Sequence, residues 1–284
     1  MSSAAGALRI GEFARRTGIS PELLRAWEQR YGLVQPTRSA GGFRLYSTAD
    51  VELVAKMRSG LDEGLSAAEA ARRALTNARP ADRLLDDARG RLLAAVRTYD
   101  EPAVQSILDE ALAGFSLATV LRELILPALR QVGDDWEQGQ LEVAQEHFLS
   151  HVVRERLLGL ARFWGSGGPL AILACAPGER HDIGLIAFGL VLRSHGWRIL
   201  FLGADTPLAT LERAVASTDP RLVVVASVDS SLFEAEARAL KRLAGTTPLV
   251  LSGAGATETL CARMRARRLD GDLVSAAEAF ARSA

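Results

Sequence analysis

The sequence is poor in cysteine: only Cys175 and Cys261 occur among its 284 residues, and each lies in an apolar stretch. Two isolated cysteines argue against a disulfide framework or a zinc site and favour a reducing cytoplasm. Long hydrophobic runs are also lacking, and none reaches the roughly 18 residues that a membrane-spanning helix needs. The N-terminal MSSAAGALRIGEF has no charged start followed by an apolar stretch, as a secretion signal would. We therefore expect a cytoplasmic protein without membrane contact.

The sequence also lacks a net charge, since 34 Lys and Arg balance 34 Asp and Glu. The charges are nevertheless unevenly distributed. Residues 1–60 carry nine Lys or Arg and five Asp or Glu, whereas residues 61–165 carry twelve and seventeen. A basic first segment beside an acidic middle is typical of a modular protein whose first module binds an anion.

The segment LRIGEFARRTGISPELLRAWEQRYGL predicts two short helices joined by a tight turn. Gly18 ends the first helix, Ser20 can cap the second through its hydroxyl oxygen, and Pro21 fits the first helical position. The apolar side chains that we expect to be buried in the second helix are Leu23, Leu24 and Trp27. Such a helix-turn-helix can place its second helix in the major groove of DNA.

Residues 34–50 predict a β-hairpin. Phe43 and Leu45 alternate with Arg44 and Tyr46, which is typical of a strand, and the glycine-rich residues 39–42 suit the tip of the hairpin. Arg38 and Arg44 flank this tip, where they could contact a phosphate backbone. The pattern alone also fits a small helical interaction domain with a few surface arginines.

The same string, followed by GGFRLYS, resembles the N-terminal domain of the MerR family of transcription regulators over about residues 8–76. It is nearest to the branch with LRAWERRYGL and GG(H/F)RLYS, which includes the CarA/CarH/LitR-type regulators. The resemblance implies a dimeric winged-helix protein that binds a double-stranded DNA operator. The DNA-binding residues that it implies are Arg16, Ser20, Arg25, Arg30 and Tyr31 in the helix-turn-helix, and Arg38, Gly42, Arg44 and Tyr46 in the wing.

The middle of the chain predicts helices only. Residues 77–82 include Pro80 and predict a polar linker. Residues 82–164 then show helical runs with breaks at residues 99–100, 114–116 and 133–139, and their apolar spacing predicts a bundle of about four helices.

From Pro169 onwards, short apolar strands alternate with helical segments, as in PLAILACA, WRILFLGA, RLVVVASV and TPLVLSGAGA. This alternation predicts an open parallel sheet, in which ligands bind beyond the carboxyl ends of the strands. His181 follows the first strand, and Ser227 and Gly253 end two others. We expect these three pieces of sequence to meet at one edge of the sheet.

Three interpretations of His181 remain open from the residues alone: a structural histidine, a catalytic base and a metal ligand. No nucleophile elbow accompanies the histidine, and no G-x-G-x-x-G follows the strand. The metal interpretation has a physical basis, because Glu179 or Asp182 could orient the imidazole. A single histidine can bind a metal that a macrocycle already holds.

The motif ERHDIG resembles the (D/E)-x-H-x-x-G motif of cobalamin-binding domains, and the resemblance covers about residues 168–284. It implies that His181 binds cobalt from below while the nucleotide tail of cobalamin lies beside the sheet. The residues that it places at the cofactor are Glu179, His181, Asp182, Gly184, Ser227, Gly253 and Gly255. The glycine-rich turn reads Ser-Gly-Ala-Gly here rather than Gly-Gly.

Trp136, followed after nine residues by Glu146 and His147, resembles the W-x9-E-H pattern of the helical cap in CarH-like photoreceptors. The resemblance implies that these three residues cover the upper face of adenosylcobalamin. In the light-responsive pattern a histidine follows the tryptophan, but Glu137 stands at that position here. A photoproduct with two histidines on cobalt therefore cannot form through residue 137. Three alternatives stay open: His147 or His151 substitutes, the illuminated form keeps water on cobalt, or the protein senses cobalamin rather than light.

We accordingly predict a multidomain protein: a winged helix-turn-helix head (residues 1–78), a four-helix-bundle cap (79–166) and a Rossmann-like α/β domain with an open parallel sheet (167–284). The predicted function is that of a cobalamin-dependent, DNA-binding transcription regulator without enzymatic activity, which binds adenosylcobalamin and self-associates as a dimer or tetramer. The bound cofactor is expected to set its oligomeric state or the arrangement of its heads, and either light or the cobalamin level could be the signal. The alternatives are a regulator that uses the same scaffold without cobalamin or with another ligand, and a corrinoid methyl carrier.

Overall fold

The computed structural model describes residues 8–34, 36–38, 43–76, 80–161, 167–269 and 271–282. They form two compact units, Met1–Leu84 and Leu85–Ala284, each described separately below. Within the described residues, no helix combines the length and apolar character required to span a lipid bilayer.

The first unit contains the predicted helix-turn-helix and the strands of the hairpin. Its elements in chain order are β1 (Leu8–Arg9), α1 (Ile10–Thr17), α2 (Pro21–Tyr31), β2 (Thr37–Arg38), β3 (Arg44–Tyr46), α3 (Thr48–Asp62) and α4 (Ala67–Thr76). The three strands form an antiparallel sheet in the order β1-β3-β2. The hairpin tip predicted at residues 39–42 lies outside the described residues.

The turn between α1 and α2 has the chemistry that the sequence predicts. Gly18 ends α1 in the left-handed conformation, at φ +68°, which glycine adopts without steric cost. The Ser20 hydroxyl accepts a hydrogen bond from the N–H of Leu23 at 3.3 Å and so caps α2. The prediction that Leu23 is buried is wrong: its side chain is 43% exposed, because Leu24 and Trp27 already fill the inner face of α2.

The core of the head includes the ring of Tyr46, which stacks on Phe13 with centroids 4.3 Å apart. The wing assignment treated Tyr46 as a surface residue, and the structure corrects that placement: the ring is buried, and its hydroxyl donates to Glu28 Oε2 at 3.3 Å. The central strand β3 directs this aromatic ring inward, where it packs against Phe13 of α1.

Four helical segments follow along the chain, as predicted, and the second unit begins at Leu85, within the first of them. They are α5 (Pro80–Arg97), α6 (Glu101–Gly114), a segment made of α7 (Leu117–Val120), a π-helical turn (Leu121–Ile125) and α8 (Leu126–Glu137), and α9 (Val143–Leu160). Asp100 and Ser116 cap helices at the first two predicted breaks. The third break starts only after Glu137, because Gly133 is accommodated inside α8.

The remaining elements alternate between strand and helix. They are β4 (Leu170–Cys175), α10 (Ile183–Ser194), β5 (Arg198–Gly203), α11 (Leu208–Thr218), β6 (Leu222–Ala226), α12 (Ser230–Ala235), α13 (Ala237–Ala244), β7 (Leu249–Ser252), α14 (Glu258–Met264), β8 (Arg267–Arg268) and α15 (Leu273–Arg282). The strands form a parallel sheet in the order β5-β4-β6-β7-β8. The short edge strand β8 was not predicted.

Side chains of the sheet pack on both faces. Leu173 and Val224 belong to a hydrophobic core that also contains α10, α15 and the inner residues of the helical bundle, whereas Ile172 and Val223 belong to a second core with α11, α13 and α14. The strand order changes direction at β4, which has β5 on one side and β6 on the other. The crevice beyond the carboxyl ends of β4 and β6 is where such sheets bind ligands.

Candidate functional site: a histidine at the switch point of the sheet

Three loops meet beyond the carboxyl ends of β4, β6 and β7, as the sequence predicts. The N–H of Ala176 donates to the carbonyl of Ala226 at 2.9 Å, and the N–H of Ser227 donates to the carbonyl of Ser252 at 3.0 Å. The N–H of Gly255 returns to the carbonyl of Ser227, also at 3.0 Å. These bonds hold the loops after the three strands together.

Glu179 is the buried centre of this site. Its Oε1 accepts hydrogen bonds from the backbone N–H and the ring Nδ1 of His181, at 2.8 and 2.6 Å. Its Oε2 accepts from the Ser227 hydroxyl at 3.0 Å and from the N–H of Val228 at 2.6 Å. Burial alone would raise the pKa of Glu179, but the hydrogen bonds, led by those from the two backbone N–H groups, hold that pKa below its ordinary value.

An ionised Glu179 selects one tautomer of His181. A carboxylate can only accept, so Nδ1 of His181 carries a proton, and in the neutral imidazole the lone pair that can bind a metal is then on Nε2. The His181 side chain is 73% exposed, whereas that of Glu179 is 3% exposed. The imidazole is therefore held at Nδ1 by a buried carboxylate, while most of the ring is exposed. This is the arrangement of a metal-binding histidine with a supporting carboxylate.

A bare metal ion is not what this site fits. Among the described residues, no group of three or more His, Cys, Asp and Glu side chains is arranged to hold one. Burial raises the pKa of the nearby Cys175 thiol to about 12, so the thiol stays protonated, and its Sγ lies 3.7 Å from the carbonyl oxygen of His181. One oriented imidazole without further ligands fits a metal carried by a macrocycle.

Gly253 and Gly255 allow the loops to approach each other closely. Gly253 has φ +93°, and a Cβ there would lie 2.3 Å from the carbonyl oxygen of Ser227. A Cβ on Gly255 would lie 2.6 Å from the carbonyl carbon of Asp229. Both positions therefore require glycine for packing between the loops, whatever else contacts them. Gly184, in the first turn of α10, has only Leu273 near its missing Cβ, at 3.5 Å.

Asp182 has a partner that sequence reasoning missed. Its buried carboxylate accepts hydrogen bonds from Nε and Nη2 of Arg154 on α9, at 2.7 to 3.1 Å. The hydrogen bond to Asp182 raises the pKa of the Arg154 guanidinium. The two residues are 28 positions apart, so no local pattern in the sequence indicates the contact.

The other predicted cofactor residues lie at the end of α8 and the start of α9. Trp136 is 45% exposed although it is a large aromatic residue. Glu146 accepts from the Ser150 hydroxyl and lies 2.6 Å from the His147 ring nitrogen Nδ1. The side chains of His147 and His151 are both exposed.

In the head, several predicted DNA-binding residues have exposed side chains. Arg25 and Arg30 are exposed on α2, and the Arg30 guanidinium lies 5.8 Å from the Tyr31 ring centroid. Arg16 lies 3.6 Å from Glu12 on α1. Arg44 donates through Nε to Glu28 Oε1 at 2.9 Å, a contact between wing and α2 that sequence reasoning missed. Arg38 lies on β2, and Gly42 lies outside the described residues.

Comparison with known families agrees with this architecture. Residues 8–75 match the MerR HTH family of regulatory proteins, and residues 88–158 and 169–281 each match a B12 binding domain. The chain therefore belongs to the MerR-type transcription regulators that carry B12-binding domains.

Individual relatives can be compared with this chain over most of their length. The chain is 35% identical over 291 residues to the HTH-type transcriptional repressor CarH of Myxococcus xanthus, covering 93% of this chain and 95% of CarH. It is 36% identical over 260 residues to the repressor CarA of the same organism, covering 89% and 88% of the two chains. A solved Methanosarcina barkeri monomethylamine corrinoid protein shares the fold of 70% of this chain and 99% of its own, with a TM-score of 0.59 at 19% identity.

Proposed function

We propose that His181 binds the cobalt of cobalamin through Nε2 from the lower side, and that the bound cofactor sets the oligomeric state of the regulator or the arrangement of its DNA-binding heads. The observation that carries the proposal is the Nδ1 contact of 2.6 Å between His181 and the buried Glu179. Because Glu179 holds Nδ1, the exposed ring offers Nε2 as its ligand atom at the switch point of the sheet.

The remaining predicted residues have complementary roles in the proposal. Glu179 and Ser227 keep the imidazole in its ligand tautomer, Asp182 and Gly184 shape the start of α10, and Gly253 and Gly255 bring the loops together beside the tail of the cofactor. Photolysis of a cobalt–carbon bond is chemistry that the cofactor itself supplies.

We further propose that the preferred form is adenosylcobalamin, held from above by the bundle. Trp136 remains 45% exposed, and an aromatic face of this size is suited to stacking on the adenine of the upper ligand. On the next helix, α9, Glu146 and His147 form a hydrogen-bonded pair, which suits polar contacts to a ribose. This form would make the regulator responsive to light.

The head is proposed to bind a double-stranded operator through Arg16, Ser20, Arg25, Arg30 and Tyr31 around α2, and through Arg38, Gly42 and Arg44 in the wing, while the buried Tyr46 supports the wing from the core of the head. Two or four heads in one assembly bind DNA with much higher avidity than one head. A change in assembly therefore changes the occupancy of the operator without any change in the head itself. The proposed location of this activity is the cytoplasm, and the proposed domains are residues 1–78, 79–166 and 167–284.

One experiment tests the cofactor-binding part and the DNA-binding part of the proposal together. The full chain is mixed with adenosylcobalamin or kept without it, and size-exclusion chromatography with light scattering and operator-fragment binding are measured in the dark and after green illumination. We expect the cofactor to change both the assembly and the DNA affinity. A chain that binds cobalamin with neither quantity changing would contradict the regulatory role and leave only a carrier.

A further inference from the structure

The carboxylate of Asp182 is almost fully buried, at 1% side-chain exposure, and directly follows His181 in the chain. Asp182 occupies the N-cap position of α10, yet its side chain caps no N–H of that helix. In the described part of the chain, its side-chain hydrogen bonds all come from Arg154, whose Nε and Nη2 form a fork on the two carboxylate oxygens.

A buried carboxylate that loses its cationic partner is left with an uncompensated charge, which is strongly destabilising. Lysine cannot reproduce the fork, because its ammonium is a single point charge. The position of Asp182 therefore depends on Arg154, which stands on α9 of the helical bundle. Asp182 is the next residue in the chain after His181, so a displacement of Asp182 also moves the backbone that carries the imidazole.

The loop that carries His181 is held at its centre by Glu179, which accepts from Ser227 and Val228, and it is also held near each end. Near its start, the N–H of Gly178 donates to Asp205 Oδ1 at 2.7 Å, a contact within the α/β part. At its end, Asp182 is held by Arg154 from the bundle. Of these contacts, only the one between Asp182 and Arg154 can transmit a movement of α9 to the loop.

We propose that Arg154 is a positioning residue that sets the orientation of His181 through Asp182, and thereby couples the helical bundle to the lower cobalt ligand. The inference rests on the proposed role of His181. Arg154 lies seven residues after His147 on α9, two helical turns away and on the same side of the helix. A shift of α9 caused by a group above the cofactor therefore reaches the loop below it, and by linkage the reverse also holds.

The test compares Arg154→Gln with Arg122→Gln. Arg122 also joins the bundle to the α/β part. It forms ion pairs with Asp272, directly before α15, and with Glu278, within α15, but it does not contact the His181 loop. Both variants and the wild-type chain are titrated with hydroxocobalamin, and the histidine-ligated fraction is read from the absorption spectrum. Hydrogen exchange of the apo proteins gives a second readout that needs no cofactor.

We expect Arg154→Gln to weaken cobalamin binding by about tenfold or more, the range found for groups that orient a metal ligand, and to lower the histidine-ligated fraction at saturation. In the apo protein, the N–H of His181 should exchange faster while that of Gly178 is unchanged. Arg154→Lys should retain part of the ligation. Arg122→Gln should match the wild type in the spectrum and in the exchange of both groups.

If Arg154→Gln does not fold, Arg154→Gln combined with Asp182→Asn removes the unpaired charge and takes its place; it should fold and still show the reduced histidine-ligated fraction. A wild-type spectrum and wild-type exchange in the folded variant would overturn the positioning role. If the wild-type chain itself shows no histidine ligation, the proposed function fails instead, while faster exchange at His181 in the apo variant would still establish the link between Arg154 and the loop.

Discussion

The ring nitrogen Nδ1 of His181 lies 2.6 Å from Oε1 of Glu179, a carboxylate that is almost completely enclosed by the loops after β4 and β6. The same carboxylate also accepts from Ser227 and Val228 on the second of these loops. One buried charge therefore orients the exposed imidazole and joins two loops of the site.

This arrangement predicts an acid-sensitive site. The pKa of Glu179 is lower in the folded chain than its ordinary value of 4.5, so ionised Glu179 contributes stability that is fully present above pH 4.5 and is lost as the pH falls through the depressed folded value. The melting temperature of the apo protein, measured at decreasing pH, should fall more steeply for the wild type than for Glu179→Gln. Equal slopes would show that Glu179 is not the group that titrates.

The contact between Arg44 and Glu28 leads to a prediction for the head. Arg44→Ala should weaken binding to all DNA sequences by a similar factor and reduce the slope of log K against log salt by about one, as expected for a lost phosphate contact. Glu28→Gln, which leaves the arginine in place but loosens it, should weaken binding while it keeps the slope. A loss confined to one sequence on Arg44→Ala would make Arg44 a reader of bases.

Trp136 should select the upper ligand of the cofactor. Trp136→Ala should reduce the preference for adenosylcobalamin over hydroxocobalamin by roughly tenfold, the scale of a lost aromatic stacking contact. Dissociation constants of both forms, measured in the dark, check this. If the wild-type chain binds both forms equally, Trp136 has no selective role.

Glu137 should make any light response differ from the route with two histidines. A carboxylate is a poorer partner than imidazole for low-spin cobalt, so we expect an illuminated product with water on cobalt that loses its cofactor easily. Spectra and a crystal structure of the illuminated protein test this. His147 or His151 on cobalt would mean that α9 moves to supply a substitute, and Glu137 on cobalt would contradict the ligand-preference argument.

The parts of the fold that the sequence predicted are those with local signals. Apolar runs such as Leu222–Ala226 predict buried parallel strands, and Ser20 and Pro21 predict the start of α2. The meeting of His181, Ser227 and Gly253 follows from the geometry of parallel strands, because their carboxyl ends share one edge.

The parts that were missed depend on contacts between distant residues. Arg154 and Asp182 are separated by 28 residues, and Arg44 and Glu28 by 16. Neither pair has a spacing that a helix or strand imposes. The burial of Tyr46 and the exposure of Leu23 likewise depend on how α1 packs against the strand and against α2, which single-element patterns do not encode.

The central claim is that His181 is the lower cobalt ligand, and a comparison of His181→Ala with His195→Ala tests it most directly. His195 follows the far end of α10, where its ring nitrogen Nδ1 lies 2.9 Å from the carbonyl of Val191. Each chain is mixed with adenosylcobalamin in the dark, and the spectrum and the retained cofactor are measured after gel filtration. The account predicts that His181→Ala loses the histidine-ligated spectrum and retains less cobalamin, whereas His195→Ala behaves as the wild type. An unchanged spectrum and unchanged retention in His181→Ala would contradict it and make His181 a structural residue.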